Sequence, residues 1–169
     1  MKKIFIILLF IVVCIQAQDI NKIIIDEKTG KPMLIGLCDR TVFADSSFSW
    51  WFEPEYEYYD FDQQVIDSLK QIVTDDIEIK LVLGTWCSDS KREVPHFMRI
   101  LDEINFDTQR ITMLSVGRDK LIEGFNISNL EIEFVPTFIF YKKGTEIGRI
   151  VEAPLTILEK DIKEILQKN

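Results

Sequence analysis

An apolar, strand-like run that passes within a few residues into an amphipathic helix, with a cysteine at the junction, constrains this chain more than any other feature. The run Ile77-Glu78-Ile79-Lys80-Leu81-Val82-Leu83-Gly84 is rich in branched residues and of strand length, so it reads as a buried strand. Trp86-Cys87-Ser88-Asp89-Ser90 follows at once, and then Val94, Phe97, Met98, Leu101 and Ile104 repeat at helical spacing. Cys87 is thus expected where a strand has ended and the unpaired backbone N–H groups of a helix begin. The partial positive charge of a helix N-terminus favours thiolate over thiol, and the thiolate is the nucleophile in disulfide exchange. Lys91 and Arg92 act in the same direction, and Asp89 opposes them.

About fifty residues downstream, Phe134-Val135-Pro136-Thr137 leads into Phe138-Ile139-Phe140-Tyr141, then Lys142-Lys143-Gly144-Thr145-Glu146 and the run Ile147 to Val151. This pattern predicts a hairpin entered through a proline. Between the two features, Ile111 to Val116 reads as a strand and 117–133 as less regular chain, with a short helix about Lys120 to Phe125. Val65, Ile66, Leu69, Ile72 and Val73 form one face of a helix that begins at Asp62, and Leu158, Ile162, Ile165 and Leu166 form one face of a closing helix over Leu155 to Gln167. Strand and helix alternate from residue 62 onward, which argues for an α/β sheet with helices on both faces. Ahead of this part, Ile20 to Asp26 and Met33 to Leu37 flank the turn-forming Glu27-Lys28-Thr29-Gly30-Lys31-Pro32, predicting another hairpin. From Phe48 to Phe61 aromatic and acidic residues interleave, and these rings are expected to cover an edge and one face of the core.

From Ile77 to the C-terminus the chain resembles the thioredoxin superfamily. In that family a Trp-Cys-x-x-Cys motif caps the first long helix, a proline lies five residues past the second cysteine, and a cis-proline loop faces the nucleophile. Pro95 stands five residues after Ser90, and Val135-Pro136 matches the cis-proline loop. The resemblance implies a three-layer thioredoxin-like fold, a central mixed sheet with helices on both faces, here with an N-terminal hairpin and aromatic extension. The domain organisation expected is a signal peptide over 1–17, an extension over 18–61 and a thioredoxin-like domain over 62–169. By the same resemblance Cys87, Trp86, Asp89 and Ser90 form the catalytic set, and Val135, Pro136 and Thr137 the substrate-binding face. Two positions depart from the family: Ser90 stands where the resolving cysteine is usual, and Leu81 where thioredoxins proper carry a buried acid. An internal motif disulfide cannot form.

Lys2-Lys3, the apolar stretch Ile4 to Ile15 and Ala17 have the order of a secretory signal peptide, and the apolar stretch is shorter than the roughly 20 residues a bilayer span needs. Cleavage is expected after Ala17. Lipid attachment at Cys14 is the lesser expectation, since Val13 before it is bulky. Of 20 basic residues, losing Lys2 and Lys3 leaves 18 against 28 acidic, a net charge of −10, which disfavours nucleic acid and anionic lipid surfaces as partners. The mature chain is expected to be periplasmic or secreted, without a membrane span. Cys38 and Cys87 then remain, in a compartment where disulfides persist.

Each candidate residue has a plainer reading beside the functional one. Cys38 is open among a buried small residue, a resolving thiol and half of a structural bridge. Ser90 is either a relic of a lost cysteine or a hydroxyl that bonds the thiolate. Asp89 reads first as a helix-start acid and second as a proton-transfer group. His96, nine residues beyond Cys87 on the same predicted helix, lies about 13 Å along the axis at ~1.5 Å per residue, outside reach of the thiol, and reads as a surface residue. No cofactor and no metal is expected. The leading expectation is thiol–disulfide exchange through Cys87, with mixed disulfides to extracytoplasmic protein or small-molecule thiols; the alternative is a non-catalytic peptide-binding module on the same fold.

Overall fold

The computed structural model describes residues 20–122 and 125–168. Residues 1–17, expected to be a signal peptide, and Cys14 among them, lie outside the described residues. A small hairpin comes first: β1 (Ile23–Ile25) and β2 (Pro32–Leu34) pair antiparallel in a sheet of their own. Gly36, with φ of 91°, then turns the chain, a conformation that costs little only without a Cβ. That turn splits the apolar run Met33–Leu37, so β3 (Gly36–Cys38) leaves the hairpin and pairs antiparallel with a strand of the main sheet. The helices α1 (Ser46–Tyr58) and α2 (Gln63–Ile72) follow, each started by an aspartate: Asp45 accepts from the Ser47 N–H, and Asp62 from those of Gln64 and Val65.

Next come β4 (Ile77–Leu83), α3 (Ser88–Glu103), β5 (Ile111–Ser115), β6 (Thr137–Lys142), β7 (Thr145–Val151) and α4 (Leu158–Gln167). The main sheet has the order β3-β5-β4-β6-β7. At its centre β4 runs parallel to β5 and antiparallel to β6. The β6–β7 hairpin closes through Lys143 and Gly144, both at positive φ, the two-residue turn whose twist matches the strands.

Alternation along the strands makes two cores. Ile77, Ile79, Leu81 and Leu83 of β4, with Phe138 and Phe140 of β6, join the apolar faces of α1 to α4 in one cluster. Phe97 of α3 lies 4.4 Å from the Phe138 ring between centroids, and Phe97→Ala would cost about 3–5 kcal/mol. The opposite face, Val82, Leu114 and Ile139, is covered by Ile122, Ile127, Leu130 and Val135. The three layers of the mixed α/β fold are present, but on that second face the described covering chain contains one 3-10 turn, Ser128–Leu130, and no α-helix.

Other expectations need correction. The described part of Lys120 to Phe125 is not helical but turns back as a bridge between Ile122 and Phe125. The aromatic rings do lie on the core, most of them from α1: Phe48, Trp51 and Phe52 are buried and Tyr56, Tyr59 and Phe61 pack against them, while Trp50 and Tyr58 stay exposed. β3, ahead of residue 62, is one edge strand of the main sheet. His96 is not a surface residue: its ring stacks on Tyr59 at 4.2 Å and its Nε2 lies 2.9 Å from Glu55 Oε2. The arrival of α1 beside α3, invisible to the periodicity of α3 alone, covers it. No described helix is long and apolar enough to cross a membrane.

Candidate active site

The site is built where β4 ends. A Cβ on Gly84 would meet the Trp86 indole at 2.7 Å, so the absence of a side chain at 84 lets the ring fold back over the strand end. The indole N–H donates to the Val116 carbonyl at 2.9 Å, tying the motif to the chain leaving β5. Cys87 is the N-cap residue of α3, and its side chain forms no cap bond. The Cys87 thiol instead donates to the Val135 carbonyl at 3.2 Å and lies 4.0 Å from Asp89 Oδ2. The Val135–Pro136 bond is cis. Thr137 holds this loop from one side, its hydroxyl donating to the Phe134 carbonyl at 2.7 Å, and the Glu152 N–H holds the Pro136 carbonyl from the other.

Ser90 is fully buried, and its hydroxyl accepts from the Gly84 N–H at 3.2 Å; no bond joins it to the thiol. Asp89 is paired with Arg92 at 3.0 Å, and Arg92 also with Glu93 at 2.6 Å. The guanidinium is therefore spent on carboxylates, and Lys91 is the cation that interacts with Cys87. Partial burial, then Lys31 and Arg118, push the Lys91 ammonium below its ordinary value, while Cys87 pulls it upward.

The N-terminal hairpin is docked on this motif. The Leu34 N–H donates to Thr85 Oγ1 at 3.1 Å, and Ser115 Oγ donates to the Leu34 carbonyl at 2.8 Å. Asp26 pairs with Arg118 at 2.7 Å, which lies over the Trp86 ring at 5.1 Å. Bonds from Arg118 and Thr29 hold the Asp26 carboxyl far below the usual carboxylate range. Sequence reasoning missed this docking because Thr85 and Ser115 carry no periodic signal; each satisfies one backbone group of a strand 51 or 81 residues away.

Cys38 is elsewhere. Cys38 pairs with Met113, which pairs with Leu81, so two strand spacings, about 9–10 Å, separate Cys38 from β4. That already exceeds the 4.4–6.8 Å between Cα atoms of a disulfide, and Cys87 lies farther along the chain. Both cysteines are free. Burial, with Asp39 nearby, pushes the Cys38 thiol up to about 12, and its side chain lines a cavity of about 570 Å³ with Arg40, Met98 and Met113.

A thioredoxin-like protein of Acanthamoeba polyphaga mimivirus is 32% identical over 108 residues, which is 64% of this chain and 72% of that one. The chain belongs to the thioredoxin superfamily. Rabbit thioredoxin is 29% identical over 106 residues, 62% of this chain and 90% of its own length. Among solved structures, a Pseudomonas aeruginosa protein of unknown function superposes with a TM-score of 0.55 at 13% identity, over 76% of this chain and 89% of that one, a likeness of fold. No protein-family profile matches. In this thioredoxin-superfamily chain the strand-to-helix turn and the proline loop bring Trp86, Cys87, Asp89, Val135, Pro136 and Thr137 together. Ser90 supports the turn from beneath, and Cys38 stands apart. Among the described residues no group of three or more His, Cys, Asp or Glu side chains is arranged to hold a metal ion.

Proposed function

We propose that the protein performs thiol–disulfide exchange outside the cytoplasm through Cys87 alone. The Cys87 thiolate attacks one sulfur of a partner disulfide, forming a mixed disulfide while the partner's S–S bond breaks and its other sulfur leaves with the electron pair as thiolate. An external thiol then attacks the partner's sulfur and expels Cys87 as thiolate, since neither Ser90 nor Cys38 offers a resolving sulfur within reach. The observation that supports this reading is a half-exposed thiol at the start of α3, 3.2 Å from the Val135 carbonyl, with a hydroxyl in the resolving position. Partners are extracytoplasmic proteins or small thiols and disulfides, and export follows from the signal-like order of Lys2 to Ala17.

Alkylation of the mature protein across pH, against free cysteine, tests the chemistry. Cys87 is expected to react faster than free cysteine at neutral pH and to trap a mixed disulfide with an oxidised partner. A thiol that alkylates no faster and traps nothing would refute exchange and leave the peptide-binding module. N-terminal sequencing of protein recovered outside the cytoplasm is expected to begin at Gln18.

A further inference from the structure

The chain carries a net charge of −8, yet three cations laid on aromatic rings belong to segments that adjoin Cys87. Lys91 Nζ lies 5.4 Å from the Trp50 ring, Arg118 Cζ 5.1 Å from that of Trp86, and Lys120 Nζ 5.6 Å from that of Phe134. Two of these rings, and the lysine on the third, sit on the segments that hold the thiol. Trp86 precedes Cys87 in the chain, Phe134 precedes the carbonyl that the thiol bonds, and Lys91 is one helical turn past the thiol. Trp50 and Phe134 are 64% and 47% exposed, so the cations stand at the rim of the site.

The hairpin adds a fourth cation. The bonds that pin Leu34 to Thr85 and Ser115 set Lys31, just before β2, close enough to act electrostatically on Lys91. Of the carboxylates near the motif, Asp89 is matched by Arg92 and Asp26 by Arg118. Among the described residues no carboxylate forms an ion pair with Lys31, Lys91 or Lys120, so three lysines free of ion pairs stand on segments that adjoin the site.

Resting on the exchange reading, we propose that this rim selects protein substrates whose reactive cysteine lies in an acidic segment, with Asp or Glu side chains flanking the sulfur that Cys87 attacks. Positive charge concentrated at the point of attack steers anionic segments toward the thiol, whereas the negative remainder of the surface repels them elsewhere. The hairpin and α1, which lie outside the part of the chain that resembles thioredoxins in sequence, supply Lys31 and Trp50 to the rim. Their place at the site is then a matter of substrate choice.

Three peptides test this, carrying Asp-Asp-Cys-Asp, Ser-Ser-Cys-Ser or Lys-Lys-Cys-Lys, each with its cysteine in a mixed disulfide with thionitrobenzoate. Cys87 attacks the peptide sulfur, the peptide–thionitrobenzoate bond breaks, and thionitrobenzoate leaves with the electron pair and is followed by its absorbance. At low salt the acidic peptide is expected to react about tenfold faster than the neutral one. In 1 M salt, where the screening length is about 3 Å, the preference should fall below about twofold. The double variant Lys31→Ser with Lys120→Asn, which touches neither Cys87 nor its hydrogen-bond partners, should keep the neutral rate and lose most of the preference. Equal rates for the three peptides, or a preference that survives in the double variant, would overturn the rim's role and leave exchange at Cys87 standing. If none of the peptides reacts faster than with free cysteine, exchange itself fails and the substrate proposal with it.

Discussion

Cys38 and Cys87 should differ in reactivity by orders of magnitude, and the difference can be worked from their surroundings. Cys38 is 4% exposed, and its thiol is pushed up to about 12 by burial and by Asp39. At pH 8 such a group is thiolate in roughly one molecule in 10,000, whereas an ordinary cysteine of pKa about 8.5 is ionised in about a quarter. Because the thiolate is the reacting species, Cys38 should alkylate at least roughly a thousandfold more slowly than free cysteine, and burial slows it further. Cys87 is half-exposed at a helix start. Native mature protein given iodoacetamide at pH 8 should therefore gain one adduct, mapped to Cys87 by peptide mass spectrometry, and a second only after denaturation. Cys38→Ser should leave the native count unchanged, and Cys87→Ser should reduce it to zero. Two adducts formed at similar rates in the native protein would refute the burial argument. A Cys38–Cys87 peptide as the main oxidation product would refute the strand register and the single-thiol mechanism together.

Ser90→Cys should form an internal disulfide with Cys87 and raise insulin-type reductase turnover by supplying the resolving thiol, while losing the Gly84-to-Ser90 bond, worth about 1 kcal/mol; turnover no higher than that of the parent would argue against the motif geometry. Gly84→Ala should destabilise by about 1–3 kcal/mol in urea titration through overpacking against Trp86, and the cost should shrink in a Trp86→Leu background; an equal cost in both would disprove the contact. Asp26 has a carboxyl pKa far below its unfolded value near 4, so its contribution is complete above that value and lost as pH falls below it toward the folded pKa. Asp26→Asn should accordingly lower stability at pH 7 and flatten its decline between about pH 5 and pH 2; an acid limb identical to the parent's would show that the Arg118 pair does not form.

Much of the active-site half was legible because its signals are local. The branched run Ile77 to Leu83, the helical spacing from Val94 to Ile104 and the Lys143-Gly144 turn each follow from steric and hydrophobic rules acting within a few residues, and adjacency in the chain put Cys87 at the helix start. The proline loop was legible through resemblance, since nothing between Val116 and Phe134 signals that the Val135 carbonyl returns to the thiol. What tertiary structure alone decided lies between segments far apart in sequence. It turned the aromatic stretch into α1 and packed it on α3, which covered His96. It broke the run Met33 to Leu37 at Gly36, giving one half to the hairpin and the other to the main sheet. Pairing of β3 with β5 carried Cys38 away from Cys87, and the bonds of Leu34 with Thr85 and Ser115 docked the hairpin on the motif. Hydrophobic periodicity records which face of an element is buried, but not which distant element buries it, and the surroundings of Cys87 are set by those distant partners.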